Sequence, residues 1–192
     1  MLSKLLILLK DVVNEHLSAS TGWGSALADH GQVVFLESQK VEHLDFKLGA
    51  VTLLLVNLEE DHTLRPADPY RRPLPDGTMQ RTRPPIHLNA YILFVARFRE
   101  YEQSLQYISL ILQYFQNHRV LDHESAPALS DHIEKLTMEL QTLPFAELSH
   151  LWGVLRNSYQ PSLLYKVRMV VFQDQEDLAA PATTASTIRI SQ

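Results

Sequence analysis

Nine histidines are an ample supply of metal ligands and proton carriers for a 192-residue chain, so their spacing is the first test of chemistry. A helical zinc site sets two imidazoles on one face at i and i+4; no two histidines stand at that spacing, and HExxH does not occur. His118, Asp122 and His123 come nearest to a cluster, and a polar turn between elements accounts for them without a metal. Glu59, Glu60 and Asp61 could be imagined as acid and base, yet neighbours on an extended segment point in different directions. No serine lies in a GxSxG elbow, and no glycine run forms GxGxxG or GxxxxGK[ST]; Gly22-Trp23-Gly24 lacks the lysine that should follow. The absence of cysteine removes thiolate zinc sites, iron-sulfur clusters, disulfides and cysteine nucleophiles together. The expectation is no catalytic, cofactor-binding or metal-binding residue, and no cofactor.

Composition points the same way. A hydrophobic fraction of 45% with 20% charged residues is ordinary for a folded domain, and 192 residues suit one core with tails. A net charge of -5 and a pI near 6.0 give no general attraction to nucleic acid or anionic lipid. The apolar run from Leu5 to Leu9 is too short for a secretion signal or a membrane span, which needs roughly 20 residues. A soluble protein made in the cytoplasm, without membrane insertion and without nucleic acid as partner, is therefore expected.

The elements that would position any site follow from periodicity. Leu2, Leu5, Leu6, Leu9, Val12, Val13 and Leu17 recur at helical spacing. Gln32 to Glu37, Val51 to Leu58, Ile86 to Arg97, Ile133 to Gln141 and Leu163 to Phe172 read as strands. Within the third, Leu88, Ala90, Ile92, Phe94 and Ala96 share one face and Tyr91, Leu93 and Val95 the other, the pattern of a central strand covered on both sides. A helix begins near Phe98, with Phe98, Tyr101, Leu105, Ile108, Leu112 and Phe115 as its core stripe, and Pro144 opens another carrying Phe145, Leu148, Leu151, Trp152 and Leu155. The sum is an α/β (α+β) fold: a single domain over 1–173 with a mixed sheet of about five strands, flanked by about three helices. Residues 174–192 turn to Glu, Asp, Ala, Pro, Thr and Ser and read as a flexible tail.

Two places stand out as surfaces. The helix after Phe98 has a second apolar set, with Tyr107, Ile111 and Tyr114, which either another layer of the same chain or a neighbouring subunit must cover; these three are the candidate subunit interface. Residues 59–85 lose all apolar period and accumulate prolines, so they read as a long loop. Arg71, Arg72, Arg81 and Arg83 within it either contact an acidic partner or are solvated among Glu60, Asp61, Asp68 and Asp76. In the tail, Thr187-Ile188-Arg189-Ile190 has strand alternation, making Ile188 and Ile190 candidates for adding a strand to a partner's sheet.

The order of short segments from residue 54 to 172 resembles a known family. Leu54-Leu55-Val56-Asn57-Leu58-Glu59-Glu60, Pro85-Ile86-His87-Leu88-Asn89-Ala90-Tyr91-Ile92-Leu93-Phe94 and Tyr101-Glu102-Gln103-Ser104-Leu105 carry the likeness. So do Phe115-Gln116, Ile133-Glu134-Lys135-Leu136-Thr137, Leu148-Ser149-His150-Leu151-Trp152-Gly153 and Tyr159-Gln160-Pro161-Ser162-Leu163-Leu164-Tyr165-Lys166-Val167-Arg168-Met169. The chain is similar to the tail-terminator or cap proteins of phage-tail-like contractile injection systems, of the antifeeding-prophage and virulence-cassette kind, a family once known only as a domain of unknown function. The resemblance implies a homohexameric ring on the last layer of tube and sheath, which ends polymerisation and anchors the sheath. It implies tube and sheath proteins as partners, a particle in which the protein is assembled, and no catalytic residue. A small cytoplasmic enzyme, or a free adaptor with no particle role, is the alternative.

Overall fold

The double alternation in Ile86–Arg97 decides the architecture, because a strand apolar on both faces must lie between two layers. The computed structural model describes residues 2–21, 33–36, 44–62, 71–73, 79–81 and 86–171. Its elements in chain order are α1 (Leu2–Thr21), β1 (Val33–Phe35), β2 (Ala50–Glu60), β3 (Arg71–Pro73), β4 (Met79–Arg81), β5 (Ile86–Arg97), α2 (Tyr101–Asn117), β6 (Val120–Asp122), β7 (Ile133–Gln141), α3 (Phe145–Val154) and β8 (Ser162–Val171). Six strands form one sheet in the order β1-β2-β5-β8-β7-β6. β1 runs parallel to β2 and every other pairing is antiparallel, so the sheet is mixed. β5 is central, held along its length by β2 on one side and β8 on the other.

Each face of β5 then collects its own core. Ala90, Ile92, Phe94 and Ala96 meet α1 and α2 through Leu5, Leu9, Val13, Ile111 and Phe115. Leu93 and Val95 point the other way, to Phe46, Trp152, Leu155 and Leu164. Helices α1 and α2 therefore cover one face of the sheet, and α3 with the 44–46 segment covers part of the other. Phe94, Phe115 and Tyr165 form an aromatic triangle, with centroids 5.8, 6.0 and 4.9 Å apart, which ties β5, β8 and α2 together. Burial of large side chains such as these stabilises the fold by about 1.5–3 kcal/mol each.

Local devices fix the edges. Val56 is a bulge: Leu55 pairs with Ile92 and Asn57 with Tyr91. The side-chain amide of Asn14 on α1 serves both backbone groups of Val33, accepting from its N–H at 2.7 Å and donating to its carbonyl at 3.4 Å. Gly49 has a φ of 82°, which only glycine adopts freely, and its N–H donates to the Arg97 carbonyl at 2.7 Å as the chain turns into β2.

Three expectations change. The stretch 59–85 is not one long loop: β2 continues to Glu60, and Arg71–Pro73 pairs with Met79–Arg81 as a hairpin. The three-residue strand β6 adds an edge that hydrophobic alternation is too short to reveal. The stripe assigned to α2 is also rotated. The helix starts at Tyr101, and its buried residues are Ser104, Tyr107, Ile111 and Phe115, while Tyr101 and Leu105 remain exposed.

Candidate functional site

The residues nominated for chemistry are engaged in structural roles. The Asp122 carboxylate accepts from the backbone N–H groups of Ser125 and Glu124 and from the Ser125 hydroxyl, at 2.9, 3.2 and 2.9 Å. Those bonds, Ser125 foremost, hold its carboxyl below the usual range. It shapes the turn after β6, as Asp does when its side chain mimics a backbone turn. Glu59 accepts from the Asn57 amide and the Tyr91 hydroxyl, both at 3.0 Å, on an exposed stretch of sheet. Partial burial, then the bond to Glu59, pushes the Tyr91 phenol up. Glu60 faces His62 at 3.5 Å. On the side of the sheet that Tyr91 faces, Arg168 meets Glu139 at 3.0 Å and Lys166 lies 5.9 Å from the Tyr91 ring centre. Among the described residues, no group of three or more His, Asp or Glu side chains has the geometry to hold a metal ion, and no helix is long and apolar enough to cross a membrane.

The chain's surfaces are more informative. Tyr107 and Ile111, nominated for a subunit interface, are 5% and 0% exposed. They face the sheet because the chain enters α2 through Phe98 and Ser104: the Ser104 hydroxyl accepts the Phe98 N–H at 3.2 Å, and the Phe98 ring stacks on Tyr107. These two residues thus belong to the chain's own core and have almost no side chain left for a neighbour. Tyr114 is half-buried, packed between His16 of α1 and His118 with centroids 4.9 and 4.5 Å away. Burial first, then the Glu15 carboxylate, raises its phenol.

What α2 exposes instead is Tyr101, at 64%, and Leu105, at 43%. Leu105 lines a groove of about 560 Å³ together with Ser20 of α1 and with Glu102, Gln106, Ser109, Leu110 and Gln113 of α2. On the far side of the sheet, α3 leaves two large apolar side chains in solvent, Phe145 at its start, 92% exposed, and Val154 at its end, 80% exposed. The exposure of Phe145 escapes sequence reasoning because it lies in register with Leu148, Leu151 and Trp152, which are at least partly buried. α3 ends where the Asn157 and Arg156 N–H groups donate to the carbonyls of Trp152 and Gly153, a left-handed helix stop with Arg156 at φ 51° where glycine is usual. The Asn157 amide also donates to the carbonyl of Leu44, fastening that stop to the 44–46 segment.

Of the nominated contact residues, Arg71, Arg72 and Arg81 fall on the β3–β4 hairpin, where Arg71 pairs with Arg81 and Arg72 with Gln80. Arg83, Ile188, Ile190 and the stretch 174–192 lie outside the described residues.

The chain is similar in fold to the anti-feeding prophage cap, the tube-terminating cap of that particle, with a TM-score of 0.54, 18% identity, and coverage of 92% of this chain and 58% of that one. The sheath/tube terminator of an extracellular contractile injection system, PVC, in its extended state gives a TM-score of 0.48 and 18% identity, covering 94% of this chain and 62% of that one. The chain therefore spans about three-fifths of the length of these solved relatives. No curated protein matches the sequence. The model of the Pvc16 N-terminal domain matches residues 7–185, nearly the whole chain, and the protein accordingly belongs to the Pvc16 N-terminal domain family.

Proposed function

We propose that this chain is a structural terminator: it sits as a ring on the end of the inner tube and sheath of a contractile injection particle, stops their growth and anchors the sheath. The observation that carries this reading is the family match over residues 7–185, and a fold shared with a tube-terminating cap supports it. The physics is compatible with such a role. A stack of head-to-tail subunits continues without limit unless a part with one mating face closes it. This reading gives the work to surfaces that fit together and assigns the chain no reaction. Six copies in a closed ring, made in the cytoplasm before the particle is complete, is the assembly that fits the resemblance.

Two further contacts belong to this proposal. Arg71, Arg72, Arg81 and Arg83 gather basic charge on and beside the hairpin, suited to acidic tube or sheath surfaces. In the sequence, Ile188 and Ile190 alternate with polar residues in the way that suits adding a strand to a sheath subunit. Imaging particles made without the protein tests the whole reading. Long, ragged or sheathless tubes are expected; particles of normal length with normal ends would overturn it.

A further inference from the structure

A strand paired on one side only offers its other side to any extended chain that meets it. β1 ends at Phe35, opposite Leu53, so from Leu54 to Glu60 no strand among the described residues lies outside β2. The exposed stretch is a ready template. Val51 to Leu58 has no charge and no proline, and about six or seven residues of that kind on an open edge are the usual seed of strand-on-strand association. β5 is as apolar, but β2 and β8 occupy both of its edges.

The backbone groups that would receive a strand can be assigned. In an antiparallel pair, residues alternate between bonding to the partner strand and pointing away from it. The Asp61 N–H donates to the His87 carbonyl at 2.8 Å, so in the register that follows the Val56 bulge Glu59 and Asn57 also turn inward, toward Asn89 and Tyr91. Leu58 turns outward. Its N–H is already taken: the Asn57 side-chain oxygen accepts it at 2.9 Å. Asn57 is itself held, because its amide donates to one Glu59 carboxylate oxygen at 3.0 Å and the other oxygen accepts the Tyr91 hydroxyl at 3.0 Å. A chain of side chains thus runs from the central strand to the edge. The bulge at Val56 breaks the even spacing of backbone groups just before Leu58, and Glu59 and Glu60 put exposed charge just after it.

The outermost strand is treated in the same way. The N–H and the carbonyl of Val33 both bond to the Asn14 amide, so neither is left for a further strand. Two asparagines, one on α1 and one on β2, therefore fill places on this side of the sheet where an incoming strand would bond.

We infer that the β1–β2 edge is closed to strand addition, with Asn57 as its latch: the Asn57 side chain occupies the Leu58 N–H, and Glu59 and Tyr91 act as positioning residues that hold it there. An extended segment must displace Asn57 and desolvate Glu59 before it can bond to β2. The domain is thereby kept from joining other chains through the apolar run of its own sheet.

The full chain is compared with Asn57→Val, with Asn57→Val plus Glu59→Thr, and with Asn57→Asp plus Glu59→Gln. The last exchanges amide and carboxylate, keeping an acceptor for the Leu58 N–H and a donor beside it. Asn57→Val should quicken amide hydrogen exchange at Leu58 by about tenfold, the effect of one lost hydrogen bond, while β5 amides stay slow and show that the fold is intact. The amide-carboxylate exchange should restore slow exchange. In sedimentation velocity, Asn57→Val plus Glu59→Thr should form species larger than those of the wild type. Leu58→Cys, the only cysteine in the chain, should then cross-link two copies on oxidation in that background and not in the wild-type background, because two edges pairing antiparallel here bring Leu58 against its copy. Unchanged exchange at Leu58 in Asn57→Val, no restoration by the amide-carboxylate exchange, or a double variant that neither enlarges nor cross-links would overturn the closure. Particles that end normally without the protein would refute the cap reading and leave the closed edge standing.

Discussion

The ring of Phe98 lies flat on that of Tyr107, with centroids 4.4 Å apart and planes 4° from parallel. This stack, with the Phe98 N–H held by Ser104, fixes the rotation of α2 as the chain leaves the sheet, and so decides which apolar residues of the helix go inside.

That rotation separates fold from surface within a single turn of one helix. Tyr107→Ala removes a ring that is 5% exposed and should cost about 3–5 kcal/mol, the range for large aromatic side chains cut from a core. Leu105→Ala, at a position 43% exposed, should change stability by within about 1 kcal/mol. Urea unfolding of both variants checks the pair. Equal losses would mean that the two residues share one environment.

The same helix shows where the sequence was legible and where it was not. The two faces of β5 were readable because alternation is a period of two with no ambiguity once both sides are apolar: Leu88 to Ala96 and Tyr91 to Val95 separate into the two cores as read. On α2, apolar residues cover so much of the circumference that periodicity gives two stripes, and the choice between them lies in a tertiary contact from Phe98, three residues before the helix. The stretch 59–85 failed for a different reason. Arg71, Arg72 and Arg81 give no apolar alternation, although Pro75-Asp76-Gly77 between the paired segments has turn composition. Phe145 was misread because spacing records which residues share a side of a helix, and not how far along the helix the neighbouring layer extends.

Asn14 stands in for a strand. Its amide takes the N–H and the carbonyl of Val33, so β1 is tied to α1 at the outer end of the sheet. Asn14→Ala should cost about 1–3 kcal/mol, because a part-buried backbone donor loses its partner. Hydrogen exchange should then quicken at Val33 to Phe35 and leave β5 unchanged. Equal acceleration across the sheet would show that β1 is not held separately.

Arg97 holds the segment that covers α3's side of the sheet. Its guanidinium donates to the Phe46 carbonyl at 2.6 Å and to Asp45 at 2.9 Å; the Asp45 carboxylate is largely exposed, so the carbonyl bond is the stronger tie. Phe46 in turn packs edge-on against Trp152 at 5.9 Å. Arg97→Ala should release that segment at a cost of about 1.5–3 kcal/mol. With Trp23 changed to Phe, Trp152 is the one tryptophan left, and its emission should shift to the red. Unchanged emission would place the anchor of Phe46 elsewhere.

Alkali should loosen this fold from the inside. Tyr165 is 2% exposed in the aromatic triangle with Phe94 and Phe115, and burial pushes its phenol up from 10.0 to about 12. Between those values the unfolded chain releases a proton that the folded chain retains, so stability falls as pH rises. Below pH 10 the folded and unfolded forms are both protonated and this group contributes no slope. Tyr107 and Tyr114 are raised by burial as well and act in the same direction. Denaturant unfolding measured between pH 9 and 12 should therefore show a decline beginning near pH 10. Tyr165→Phe keeps the ring and removes the titrating oxygen, so it should fold at pH 8 and show a shallower decline. An unchanged slope in that variant would mean that the alkaline loss arises from groups outside the core.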